Sequence, residues 1–274
     1  ASGVIKHNST HPVLELWTDR DSEEKIVLFE AESDREETAF VVQEVQNAMR
    51  THDLTDIAVL YRTNAQSRGL EDACIRAGIP YKLVGGVRFY ARKEIKDVLA
   101  YLRVYVNPHD EVAIARIEKL GKRKLAVYMQ WLGEAKHMPD SPLEILDLIL
   151  EKSLYPQTYD PDIEEDAQRL ENIQEFRSVA SEFSSITELL ENVSLVENDT
   201  VSETASANTS ALNQPAITLM SLHAAKGLEY SVVFIVGMEE GLFPHSRSLL
   251  DKHQLEEERR LCYVGITRAK EKLF

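Results

Sequence analysis

Five short runs of apolar and β-branched residues constrain this chain most: IVLFE (26–30), IAVLY (57–61), YKLV (81–84), ITLMSL (217–222) and VVFIV (232–236). Each is too short for a globular helix. None alternates apolar with polar residues as a half-solvated strand does, so they predict strands buried on both faces, as in a parallel sheet. Helical patterns lie between them: Leu70, Ala73, Cys74 and Ala77 follow the i, i+3, i+4, i+7 rule, as do Ile95, Val98, Leu99 and Leu102, so each helix offers one apolar stripe to a sheet. Alternating strands and helices predict an α/β layer fold.

The alternation stops in the middle. From 107 to about 192 the apolar residues recur only at helical spacing, as in Leu170, Ile173, Phe176, Ala180 and Phe183, which predicts an all-helical block. A polar stretch, NVSLVENDTVSETASANTSALNQP (192–215), follows and reads as a linker. The expected organisation is one α/β domain built from 1–106 and 216–274, interrupted by a helical insertion and linker over 107–215. Charge follows the same division. The chain carries 31 Lys+Arg against 46 Asp+Glu, of which 107–215 holds 9 and 21. An acidic chain does not bind nucleic acid over its whole surface by charge alone, although a local groove remains open to it.

No apolar run is long enough to span a bilayer and no leader-like segment opens the chain, so a cytoplasmic protein without a membrane partner is expected. Cys74 and Cys262 each lie in an apolar pattern with no second Cys or His at metal-ligand spacing, and read as reduced core thiols. The chain starts without Met and stops as an apolar run begins at KEKLF; a piece of something larger is expected.

Three strings carry chemistry. In VLYRTNAQSR (59–68), Tyr61 and Arg62 leave a strand at its carboxyl end, where open α/β sheets place ligands. A ring can stack on a base and a guanidinium can fork onto phosphate; the pair also fits an aromatic strand end beside a solvated arginine. In HAAKGLE (223–229), between two core strands, Lys226 could meet a phosphate, Gly227 permits a tight turn or a close ligand, and Glu229 could accept from ribose hydroxyls. An ordinary connection with solvated charges fits equally. GLFPH (241–245) offers Phe243 and His245 as faces for unpaired bases, or a turn that buries its Phe.

In EEERRLCYVGITRAKEKLF (256–274), acidic residues followed by Arg259, Arg260, Arg268, Lys270 and Lys272 suit a helix with an acidic first turn. Arg268 stands alone after an apolar run, as an arginine that stabilises developing phosphate charge would. There is no GxxxxGK[ST] loop: LGKRKL (120–125) has Arg116 where the first Gly belongs and no Ser/Thr after Lys. The pair Asp110 and Glu111 reads as surface charge rather than a Mg²⁺ site. No metal ligands are assigned.

Together these strings, with GIPYKLVGGVRFYARKEIKDVLAYLRV (78–104), resemble motifs IV, V and VI of the UvrD/PcrA/Rep-like superfamily 1 DNA helicases. The resemblance covers about 57–106 and 216–274, with a looser likeness in the middle. It implies a RecA-like (P-loop NTPase-type) parallel sheet flanked by helices, interrupted by an all-helical insertion. It implies the second of two RecA-like domains of an ATP-dependent 3′-to-5′ helicase. The N-terminal RecA-like domain of the same protein would then carry the phosphate loop and the Mg²⁺ ligands. By motif position, Tyr61 would stack on adenine, Arg62 and Arg268 would contact the γ-phosphate, and Glu229 would bind ribose. Lys226 and Gly227 fall in the same nucleotide motif; His223 and His245 fall where the family meets single-stranded DNA, with Phe243 in the same string as His245, and strand junctions are a further expected partner. The family's P-[KR]-R-G-I-G-like turn is replaced by RIEKLGKRKL (116–125) in a shorter insertion. Two other readings fit: a non-catalytic interaction module that keeps the fold, and the helicase subunit of a helicase-nuclease.

Overall fold

The computed structural model describes residues 1–9, 24–135, 139–205 and 214–274, with the backbone alone over 197–205. It divides into two compact units, one of 1–86 and 213–274 and one of 87–212.

The first unit is a five-stranded sheet. Its strands are β1 (Ile57–Tyr61), β2 (Tyr81–Val84), β3 (Ile217–Ser221), β4 (Tyr230–Ile235) and β5 (Ala269–Leu273), in the spatial order β2-β3-β1-β4-β5. All pairs are parallel. Every residue of the central β1 is buried, which explains why its sequence shows no polar alternation. A short helix α1 (Ser2–Ile5), α2 (Asp34–Ala48), α3 (Ser67–Ala77) and, last in the chain, α10 (Lys252–Ile266) complete the unit. Val41, Val45, Leu70 and Cys74 cover one face of the sheet. Leu261 and Cys262 of α10 join Ala58, Leu60 and Met220 on the other. Both cysteines are free and buried, and burial pushes the Cys74 thiol up to about 12, out of the reactive range.

Four expected runs are strands; IVLFE is not. Residues 26–30 lie outside any strand, with Leu28 90% exposed. The segment meets the sheet through one bond, from the Val27 N–H to the Leu273 carbonyl at 2.9 Å beside the outer strand β5, and Phe29 stacks on Phe40 at 4.0 Å. An apolar run beyond the sheet's edge has only one neighbour to pair with, which its composition does not reveal.

The second unit holds α4 (Lys93–Val106), α5 (Glu111–Leu120), α6 (Lys122–Glu134), α7 (Pro142–Ser153), α8 (Glu164–Ser181) and α9 (Ile186–Ala205), and no strand among its described residues. Its core gathers Leu99, Leu102, Ile117, Tyr128, Ile149 and Phe176. The expected boundary after 106 counted α4 with the sheet. Its stripe of Ile95, Val98, Leu99 and Leu102 instead packs among the helices, and the division falls after Gly86. Asp110 is the N-cap of α5, accepting from the Ala113 N–H at 2.9 Å, a capping rather than a metal role. Helix α9 carries helical backbone through Ala205 into the stretch read as a linker; the part of that stretch at 206–213 lies outside the described residues.

Candidate functional site

In an all-parallel sheet, whatever follows a strand lies at one edge and whatever precedes a strand lies at the other. This rule sorts the expected site residues into two groups. Arg62 follows β1 and His223 follows β3, so both lie at the carboxyl edge. Glu229 precedes β4 and Arg268 precedes β5, so both lie at the amino edge. The edges are one strand apart, about 16 Å for five residues at about 3.3 Å each. Arg62 and Arg268, expected to converge on one phosphate, leave the sheet at opposite edges.

The carboxyl edge is built by the turn after β1. Thr63 and Gln66 form a capping box in which the Arg62 and Thr63 N–H groups donate to Gln66 Oε1 at 2.9 and 2.8 Å. This fixes the backbone from which the Arg62 side chain leaves. The guanidinium donates from Nε to both Glu258 oxygens at 3.0 Å and from Nη2 to Oε1 at 2.8 Å. Glu258, on the second turn of α10, also accepts from the His245 N–H at 3.3 Å. The helix starts at Lys252, capped by Asp251 through the His253 N–H at 2.8 Å. The triple Glu is thus not its first turn, and Lys270 and Lys272 lie on β5 rather than in the helix.

Two aromatics expected at ligands are core residues. Tyr61 is 1% exposed, the last member of a fully buried strand, and Phe243 is 5% exposed under α10. Neither ring offers a face to a base in this conformation. His223 is exposed and His245 half-buried. Glu37 of α2 accepts from the Gly237 N–H at 2.8 Å just past β4; burial first, then the neighbouring Asp34 and Glu239, holds its carboxyl above the usual carboxylate range.

The amino edge is built by the last turn of α10. Arg268 donates from Nε to the Val264 carbonyl at 3.0 Å, from Nη1 to the Leu228 carbonyl at 2.9 Å and from Nη2 to Thr267 Oγ1 at 2.9 Å. Its own carbonyl accepts from the Tyr230 N–H at 2.9 Å, which places it beside the loop that ends in the exposed Glu229. All three side-chain acceptors are neutral. No carboxylate pairs with this cation among the described residues, so its full charge remains for a ligand. Gly227 turns the loop at φ +84° with open space around the missing Cβ: the backbone conformation, not a close approach, requires glycine there. Lys226 is exposed on the same loop. Gly265 lets α10 lie close: a Cβ there would meet Leu222 Cδ2 at 2.6 Å and Ile235 Cδ1 at 3.1 Å.

These strings match, over residues 1–161 and 149–274, the family described as the UvrD-like helicase C-terminal domain. The chain belongs to that family. All of the chain aligns with the ATP-dependent DNA helicase PcrA of Staphylococcus epidermidis at 39% identity over 319 residues, covering 44% of that protein. It aligns with PcrA of Bacillus subtilis at 38% over 324 residues, again 44% of the relative. A probable DNA helicase II homolog of Rickettsia felis matches at 38%, with 48% covered. The chain thus spans less than half the length of these relatives, and it is the C-terminal, RecA-like α/β part of a UvrD-like protein. The residues the motifs did not single out are Glu258 and Gln66. Gln66 was legible as the last member of a T-x-x-Q capping box; Glu258 was hidden inside a run of three identical residues.

No group of three or more His, Cys, Asp or Glu stands ready to hold a metal among the described residues. No helix there is long and apolar enough to cross a membrane.

Proposed function

We propose that this chain is the second RecA-like lobe, with its helical insertion, of an ATP-dependent 3′-to-5′ DNA helicase. In this reading the two edges of its sheet have different partners. The amino edge completes a nucleotide site whose phosphate loop and Mg²⁺ ligands belong to a first RecA-like lobe. There Arg268 would meet the terminal phosphate, Glu229 the ribose hydroxyls and Lys226 the surrounding negative charge. The carboxyl edge, with Arg62, His223 and His245, would hold single-stranded DNA.

The observation that carries this reading is the state of Arg268. Three neutral acceptors fix its guanidinium without neutralising it, the arrangement that stabilises phosphoryl charge without reorganising during the reaction. The names of the relatives support ATP as the fuel and DNA as the track. Arg62, by contrast, has its charge met by Glu258; in this reading Arg268 takes the terminal phosphate, and a partly neutralised Arg62 suits a strand that must be gripped and released at every step. Closure of the two lobes on ATP and reopening after hydrolysis would alternate that grip.

The test is ATP hydrolysis by the full-length protein with saturating single-stranded DNA. Arg268→Ala should lower kcat about a thousand-fold and leave the DNA concentration for half-maximal stimulation near its wild-type value. Turnover within a few-fold of wild type would reject the assignment. A wild-type protein without DNA-stimulated hydrolysis would favour a non-catalytic interaction module.

A further inference from the structure

Glu256, on the second turn of α10, is 1% exposed and has no task in the reading above. Its Oε1 accepts from the Ser9 N–H at 3.0 Å and from the Ser9 hydroxyl at 2.7 Å, and its carbonyl accepts from Asn8 Nδ2 at 2.7 Å. Asn8 is buried as well, and its Oδ1 accepts from Arg259 Nη1 at 3.3 Å. Just before these two residues α1 packs on α10, with Ile5 buried and Val4 against the apolar cluster that holds Leu261 and Cys262. A carboxylate taken out of water costs stability unless its oxygens are met; here a segment from the opposite end of the sequence meets them and is thereby fixed to the helix.

Helix α10 is therefore held at two places. Near its end Gly265 lies close against Leu222 and Ile235, and about 13 Å earlier, at about 1.5 Å per residue, Glu256 holds Ser9. Arg268 follows directly after the helix. Resting on the reading of this chain as a second lobe, in which the first lobe precedes residue 1, the segment 1–9 is the stretch by which the chain arrives. We propose that Glu256 is a positioning residue: it clasps the arriving segment to α10, so that the helix, and Arg268 with it, follows the first lobe instead of tilting about the Gly265 contact.

The experiment is steady-state ATP hydrolysis by the full-length protein at saturating single-stranded DNA, with Tm measured alongside. Glu256→Ala should lower kcat about ten- to a hundred-fold, the scale of a displacement of up to about 1 Å at a reacting group. KM for ATP should stay near its wild-type value, because in this reading the phosphate loop belongs to the first lobe. Glu256→Gln, which keeps an acceptor for Ser9, should restore turnover to within a few-fold of wild type. In an Arg268→Ala background Glu256→Ala should cost almost nothing further, because both substitutions act through the same guanidinium. Wild-type kcat in folded Glu256→Ala, whatever its Tm, or losses that multiply in the double variant, would overturn the proposal and leave Glu256 a residue of the fold alone. If Glu256→Ala does not fold, Asn8→Ala, which removes the other half of the clasp without touching a charge, is carried through the same comparison with the same expected and contradicting results. Turnover of Arg268→Ala within a few-fold of wild type would instead remove the second-lobe reading on which the proposal rests.

Discussion

The two edges of the sheet treat the same side chain in opposite ways. At the carboxyl edge Arg62 is paired with a buried carboxylate, and at the amino edge Arg268 is held by two carbonyls and a hydroxyl. Both guanidiniums are fixed in direction, but only the second keeps its whole charge. A buried pair such as Arg62 and Glu258 contributes little net stability, because desolvating both ions offsets their attraction; what it supplies is orientation. A cation fixed by neutral acceptors does the reverse, holding charge where a multiply charged phosphate can use it. Helix α10 serves both ends, with Glu258 near its start and Arg268 just past its end, about 12 Å of helix from Glu258 to Ile266 at about 1.5 Å per residue.

The contrast breaks first at Arg268. In Arg268→Lys the charge stays but the fork that binds three acceptors is lost, so kcat for DNA-stimulated hydrolysis should fall about a hundred-fold, between wild type and the alanine variant. A lysine variant with wild-type turnover would mean that charge alone suffices and that the neutral cradle is incidental.

Next in size is Gly265→Ala, which sharpens the role of α10. The new methyl would press on Leu222 and Ile235 and cost about 1–3 kcal/mol of stability, read as a lower Tm. Gly265 lies in the last turn of the helix, so kcat should suffer more than the affinity for single-stranded DNA. An equal loss of both would show that the two edges are not separately supported.

How much of this was legible in the sequence follows from the same geometry. The buried strands were readable because a fully covered parallel strand leaves an unbroken apolar run, as in IAVLY. The run at 26–30 looks the same but lies outside the sheet beside β5, and composition does not count neighbours. Arg62 and Arg268 were paired by motif position; their order relative to the strands shows in addition that one follows β1 and the other precedes β5. Tyr61 was offered as a stacking platform because it ends a strand; its burial depends on α2 and α3, which local sequence does not register. Glu258 could not be distinguished from Glu256 and Glu257 before the helix phase was known. That phase sends Glu256 to Ser9 and Glu258 to Arg62.

The smallest expected effect lies at Glu37, beside the carboxyl edge. Its pKa is raised in the folded state, so the folded protein binds the proton more readily than the unfolded chain. Stability from this group is present at pH below the unfolded carboxylate value and declines as pH rises through the folded one. Glu37→Gln keeps an acceptor for the Gly237 N–H, so at pH 7 its Tm should equal or slightly exceed that of the wild type. The part of the acid-side pH dependence due to this group should disappear. A clear loss of Tm at pH 7 would show that the ionised form is the one the fold uses.

The division of the sheet into a nucleotide edge and a DNA edge is tested most directly by a structure of the full-length protein bound to a non-hydrolysable ATP analogue and single-stranded DNA. The expected result has the Arg268 guanidinium about 3 Å from a γ-phosphate oxygen, and Arg62, still paired with Glu258, against a phosphate of the DNA. Both arginines on the nucleotide, or Arg268 turned away from it, would contradict the account.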